Sequence, residues 1–134
     1  MSIPKDIVIA FNEGDQVRAS VDVLVECAKL QIKKGRDYQN DASTIRQADY
    51  YPSGVRTIHE IMHAKMLRIK SLLDTIEQNP DAEPNFESVE DSFKDLINYT
   101  SFAVAYSRGQ IDGQKPNHDM LNRRMPAKAI PVSL

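Results

Sequence analysis

Apolar residues recur at helical spacing in three long stretches, and every proline lies outside them. That pattern constrains the chain more than any motif, because proline breaks a helix interior and a period near 3.6 does not suit a strand. The first stretch, about 15–34, reads "DQVRASVDVLVECAKLQIKK". Asp15 is placed as an N-cap, and Gly35 stands where a C-terminal glycine belongs. At about 100° per residue, Val17, Val21, Leu24, Val25, Ala28 and Ile32 share a face, which Val23, Cys27 and Leu30 widen. So broad an arc asks for more than one packing neighbour.

The second helix is expected over about 55–78 and the third over about 86–107, separated by "NPDAEPN" with its two prolines. The third fades at Gly109. Between the first two helices lies a long polar connection, residues 35–54, closed by Pro52 and Gly54. Connections of this length tend to carry function or to be disordered. Residues 108–134 show little periodicity and are expected to form an irregular tail, either loose or laid on a partner subunit. The reading is an all-α fold: a three-main-helix bundle spanning residues 1–107, with an extended C-terminal tail. The apolar arcs exceed what three helices can cover, so a homo-oligomer is expected.

The 134 residues suit one domain. A net charge of −2 argues against bulk attraction to nucleic acid or an anionic membrane. Cys27 is the single cysteine, so no disulfide and no thiolate zinc cluster forms within one chain. The opening "MSIPKDIVIAFNEGDQ" has too short an apolar run for a signal peptide, and no stretch approaches a membrane span. A cytoplasmic location is expected.

Two helices carry polar residues where apolar ones are the norm. On the second, Ile58, Ile61, Met62, Met66, Ile69, Leu72, Leu73 and Ile76 make one stripe, with Lys65 near its centre and Arg68 at its edge. Such a lysine either snorkels to water or meets an acceptor. On the third, Phe86, Val89, Phe93, Leu96, Ile97, Thr100, Ala103 and Val104 form the expected core stripe. A second stripe holds Glu87, Asp91, Asp95 and Asn98 and runs into Phe102, with Tyr99 and Tyr106 alongside. Carboxylates at i,i+4 repel by a few tenths of a kcal/mol per pair, roughly. A solvated face would not continue into aromatics, so this stripe is expected to face protein or a pocket, with Lys65 and Arg68 as counter-charges. Cations, carboxylates and tyrosines on facing helices suit a nucleotide site. A structural ion-pair network accounts for the same residues.

"HEIMH", residues 59–63, matches the H-E-x-x-H zinc motif, with His59 and His63 as ligands, Glu60 as base and Glu87 as a conceivable third ligand. No strand is found to bind substrate beside it, so exposed histidines are the plainer reading. No glycine-rich phosphate loop occurs. Cys27 reads as core rather than nucleophile.

Three segments, "KKGRDYQN" (33–40), "HAKMLRIKSLL" (63–73) and "ESVEDSFKDLINYTSFAVAY" (87–106), resemble the phage-associated nucleotide-modification-associated domain family. The resemblance spans about residues 20–106, and its last element is the most specific. It implies an all-helical fold and a place in phage nucleotide or DNA-modification pathways. Carried over residue by residue, it marks Asp37, Tyr38, Lys65, Arg68, Glu87, Asp91, Asp95, Asn98 and Tyr99. A more distant likeness is to all-helical nucleoside triphosphate pyrophosphatases, which hold magnesium with an E-E-x-x-E helix and an E-x-x-D helix. The chain departs there: "HEIMHAK" has one acid where that motif has three, and Glu87 and Asp91 are four apart.

Three functions are therefore expected in order. The first is a nucleotide or cyclic-nucleotide binder that sequesters a host signal in host-defence evasion. Lys65 and Arg68 would take phosphate, Asp95 and Asn98 would bond base or sugar, and Tyr38 or Tyr99 would stack. The second is a pyrophosphohydrolase with Mg²⁺ on Glu87, Asp91 and Asp95. The third is a helical adaptor with an ion-pair core.

Overall fold

A computed structural model describes residues 4–6, 18–38, 41–81 and 86–126, with side chains described except at 18, 37, 38, 86 and 87. The fold is all-α. Three long helices, α1 (Arg18–Tyr38), α2 (Val55–Gln78) and α3 (Phe86–Ser107), are joined by a connection containing one 3₁₀ turn, Gln47–Tyr50. No strand occurs among the described residues, only an isolated bridge between His118 and Arg124. None of the described helices is long and apolar enough to cross a membrane.

The sequence places the ends of α2 and α3 where the structure has them. It misplaces the end of α1, which runs through Gly35 to Tyr38 rather than stopping at 34. An interior glycine costs a helix about 1 kcal/mol relative to alanine, and the remaining turns outweigh it. The expected cap Asp15 and the stripe residue Val17 lie outside the described residues. At its C-terminus α3 closes in a Schellman motif: Gly109, at φ 71°, donates to the Tyr106 carbonyl, and Gln110 donates to that of Ala105.

Helices α2 and α3 form an antiparallel pair, and α1 lies against the other flank of α3. The core sits at one end of that pair. Ile58 of α2 and Tyr106 of α3 are enclosed there by Ala48 and Tyr51 from the connection and by Ile111 from beyond α3. Tyr51 and Tyr106 meet edge to face, centroids 6.3 Å apart.

The irregular segment after α3 packs on its own chain through residue 126. The Ala48 N–H donates to the Asp112 carbonyl (2.9 Å), the Asn122 amide to that of Pro52 (3.0 Å), and Arg46 pairs with Asp112 (3.7 Å). The Met120 carbonyl accepts from Val55 N–H at 2.8 Å, satisfying a donor that the first turn of α2 leaves without an intrahelical partner. Asp119 organises the segment's own turn. Its carboxylate accepts from the N–H groups of Leu121 and Arg123 and from the Arg123 guanidinium. Those bonds, the Arg123 N–H first, hold its carboxyl below the ordinary aspartate range.

One expectation holds and another fails in part. On α3 the polar stripe turns inward at Asp95 and Asn98, as expected, but the stripe expected to be core is left open at two of its large side chains. Ser92 and Asn98 are buried, whereas Phe93 and Val104 are 44% and 47% exposed. The reason is that α3 is gripped on two flanks. Met62 of α2 reaches Thr100 on one side, and Gln31 of α1 bonds Asn98 on the other. The surface between those grips carries Asp95, Asn98, Tyr99 and Phe102.

Candidate functional site

Because α1 and α2 both lean on α3, a cleft opens between them, with the inward stripe of α3 as its floor. Its volume is about 620 Å³, in the range of small-molecule sites. One wall comes from the last turns of α1, with Ile32, Lys34, Gly35 and Arg36. Tyr50 and Tyr51 come from the 3₁₀ turn, and Ile61 from α2. Gln31, Asp95, Asn98, Tyr99 and Phe102 complete the floor.

Local sequence explains how these groups are held. The 3₁₀ turn is fixed by Asp49, whose carboxylate accepts from Arg46 N–H at 2.8 Å. Its return is set by Tyr51 N–H donating to the Ala48 carbonyl at 3.0 Å. That turn leaves Tyr50 half exposed toward the cleft while burying Tyr51. The floor is an amide network: Gln31 Nε2 donates to Asn98 Oδ1 (2.9 Å) and to Ser101 Oγ (2.8 Å). Tyr99 and Phe102 stand edge to face, centroids 5.8 Å apart. Aromatic edges and faces beside fixed amides are what a planar heterocycle needs.

Asp95 is the electrostatic pivot. Lys65 reaches it from α2 at 3.1 Å and Lys34 from α1 at 3.6 Å. Three helices are thereby tied through one half-buried carboxylate. The lysine inside the apolar stripe of α2 has met an acceptor rather than snorkelled. A second pivot is the preceding residue: Lys94, its side chain 16% exposed, bonds Glu26 at 3.1 Å and Glu90 at 3.4 Å. These contacts, Glu26 first, keep its ammonium above the ordinary lysine range.

Of the residues singled out from the sequence, Asp95, Asn98 and Tyr99 come together on the cleft floor. Lys65 acts on the site only through Asp95, and Arg68 is exposed on α2; neither lines the cleft. Asp91 is exposed one turn before Asp95. The side chains of Asp37, Tyr38 and Glu87 lie outside the described set. Among the described residues no three His, Cys, Asp or Glu side chains gather as a metal-ligand group. His59 and His63 are both exposed on α2. Cys27 is buried, and desolvation pushes its thiol up, which suits the core role expected of it.

Sequence reasoning missed Gln31, Lys34, Arg36, Tyr50 and Phe102 as one set. Lys34 and Arg36 flank the glycine that read as a helix end, and placing that end late turns them toward α3. Nothing in the sequence pairs Tyr50 with a helix more than forty positions away in the chain. Comparison with protein-family models, curated proteins and solved structures gives no match for the chain.

Proposed function

We propose that the cleft binds a phosphate-bearing ligand with a planar ring, a nucleotide or nucleotide-derived molecule, and releases it unchanged. The observation that carries the reading is the meeting of cations and aromatic rings in the lining of one cleft. Lys34 and Arg36 offer cations at one wall, while Tyr50, Tyr99 and Phe102 offer aromatic surface beside the Gln31–Asn98 amides. Cations take phosphate oxygens as charge-assisted bonds, and the amides read ring edges. This moves the phosphate role from Lys65 and Arg68 to Lys34 and Arg36, and leaves Asp95 to hold Lys34 in place. The resemblance to the phage-associated nucleotide-modification-associated domain family points the same way. Two of its three segments supply cleft residues: Lys34, Gly35 and Arg36 from the first, Asp95, Asn98 and Tyr99 from the last. In that setting the protein would sequester a host nucleotide signal in the cytoplasm of an infected bacterium.

Hydrolysis with Mg²⁺ fits less well, since Asp95 is already neutralised by two lysines and Asp91 points elsewhere. The test is equilibrium binding to a panel of nucleoside mono-, di- and triphosphates and cyclic nucleotides, with and without Mg²⁺ or Mn²⁺, followed by chromatography of the recovered ligand. The expected result is a ligand recovered intact. Replacing both Lys34 and Arg36 with alanine should weaken it by about 10–100-fold, the loss of one or two charge-assisted bonds. Cleavage that disappears in Asp91→Ala would establish the hydrolase instead. No interaction with any nucleotide would leave the adaptor.

A further inference from the structure

Among the described residues, no helix packs over the outward face of α3. Phe93 and Val104 stand 44% and 47% exposed on it, with Val89, Leu96 and Ile97 half-buried beside them. Thr100, at the edge toward α2 where Met62 reaches it, turns its hydroxyl back to the Leu96 carbonyl at 2.7 Å. Its polar group is thus satisfied within the helix, and the strip runs without an outward polar demand. Next to it, the rim of α2 exposes Met66 (51%) and Leu73 (41%). A helix that leaves two large apolar side chains open beside an exposed apolar rim is suited to meet something there.

The spacing of this face says what. Phe93 and Val104 lie about three helical turns apart, and their midpoint is level with Asn98 and Tyr99. Glu90 and Arg108 lie about five turns apart on one edge of the same face, and their midpoint is level with Tyr99. Two charge and two apolar positions therefore share one centre, with opposite charges at opposite ends. Arg108 continues the helix, its N–H bonded to the carbonyls of Val104 and Ala105. Both charged side chains are exposed, and Glu90, 3.4 Å from Lys94 of its own helix, keeps its carboxylate at the surface. A surface with this arrangement is complementary to itself when turned end for end.

We propose that this face is the interface of a two-fold dimer, in which α3 packs antiparallel on α3 of a second copy. Phe93 of one protomer meets Val104 of the other, and Glu90 pairs with Arg108 across the seam, twice by symmetry. At a shallow crossing of about 20° the long side chains at the seam's ends still reach each other. The axis keeps the two α2 rims on the same side, so Met66 and Leu73 of both copies extend the contact. A strip of one helix exposes a few hundred Å², roughly, and the rims carry it toward the ~800 Å² per partner of a stable interface. The clefts open on the opposite side of α3, so dimerisation leaves both accessible.

The test is the mass of the full-length protein in solution, by sedimentation velocity and light scattering over a wide concentration range. A dimer is expected. Phe93→Glu and Val104→Glu should each give monomer with unchanged helical circular dichroism, since both side chains stand outside the core. Glu90→Arg and Arg108→Glu should each raise the dimer dissociation constant by at least about tenfold, because each places like charges together at two symmetric points. The double exchange should restore the affinity. A monomer at every concentration would overturn the proposal, as would a dimer insensitive to Phe93→Glu, or a double exchange no tighter than its parents. If residues 127–134 of the same chain cover the face instead, deleting them would turn a wild-type monomer into a self-associating species. That result also refutes the dimer as drawn.

Discussion

Gly54 offers the sharpest test of how the segment after α3 is attached. It sits at φ 60°, ψ −130° as the N-cap of α2, a conformation open to glycine and strained for any side chain. In Gly54→Ala the new Cβ would land on the Met120 carbonyl oxygen, 2.8 Å from Tyr106 Cε1 and 3.1 Å from the Asn122 nitrogen. Two of those are backbone atoms and the third belongs to a fully enclosed ring, so none can swing aside. The conformational strain alone is about 1–3 kcal/mol. Pushing Met120 away also breaks its bond from Val55 N–H, and moving Asn122 breaks that to Pro52, each worth about 1 kcal/mol net. The expected loss is about 3–5 kcal/mol, a large part of the 5–15 kcal/mol typical of a domain. Urea unfolding measures the total, and amide hydrogen exchange at Val55 and Ala48 locates it. Gly109→Ala is the control. Its φ is also positive, at 71°, but nothing lies within 4 Å of its Cβ, so only about 1–2 kcal/mol is expected. A Gly54→Ala loss no larger than that of Gly109→Ala would refute the attachment described here.

Other expectations concern the charged pivots and the core. Lys65→Met should destabilise by about 1–3 kcal/mol, because it leaves Asp95 half-buried with only the longer Lys34 contact; adding Asp95→Asn should recover most of that in a double-mutant cycle. Asp119 has a depressed carboxyl, so the unfolded chain takes up its proton first as pH falls; its contribution is complete above the ordinary aspartate range near 3.9, roughly, and vanishes as pH drops through the lower folded value. Acid titration should therefore release exchange protection at Arg123 N–H at a lower pH than an exposed aspartate titrates, and Asp119→Ala should abolish that step. Cys27 should react with a thiol reagent far more slowly in the native protein than in denaturant, being buried with a raised pKa; equal rates would show α1 detached from α3.

The sequence announces each helix but not which way each faces. Proline placement and period define α2 and α3 to their ends, and the lysine in the α2 stripe does meet a carboxylate of α3. On α3, however, two stripes compete. Period alone says which residues share a face, and only the neighbours decide which face is buried. Phe93 and Val104 look like core by composition, yet the amide and carboxylate contacts of Asn98 and Asp95 turned them outward. The segment from 108 to 126 was opaque for another reason. Its order comes from backbone bonds, one buried isoleucine and Asp119, none of which makes a repeating apolar signal. The cleft inherits that opacity, since its tyrosine wall is held by the same segment.

The seam between residues 48–55 and 112–122 also has a kinetic consequence. The α2–α3 hairpin closes over the short connection 79–85, so its contacts form among near neighbours in the chain. The Asn122–Pro52 bond joins residues 70 apart. A roughly tenfold longer loop costs about 2 kcal/mol more to close. Folding is thus ordered in time, hairpin early and seam late, with the turn bearing Tyr50 and Tyr51 waiting on the segment made last. A chain still emerging during synthesis would hold the hairpin before it holds a finished cleft, which is complete only once residues beyond 120 are free to return to α2.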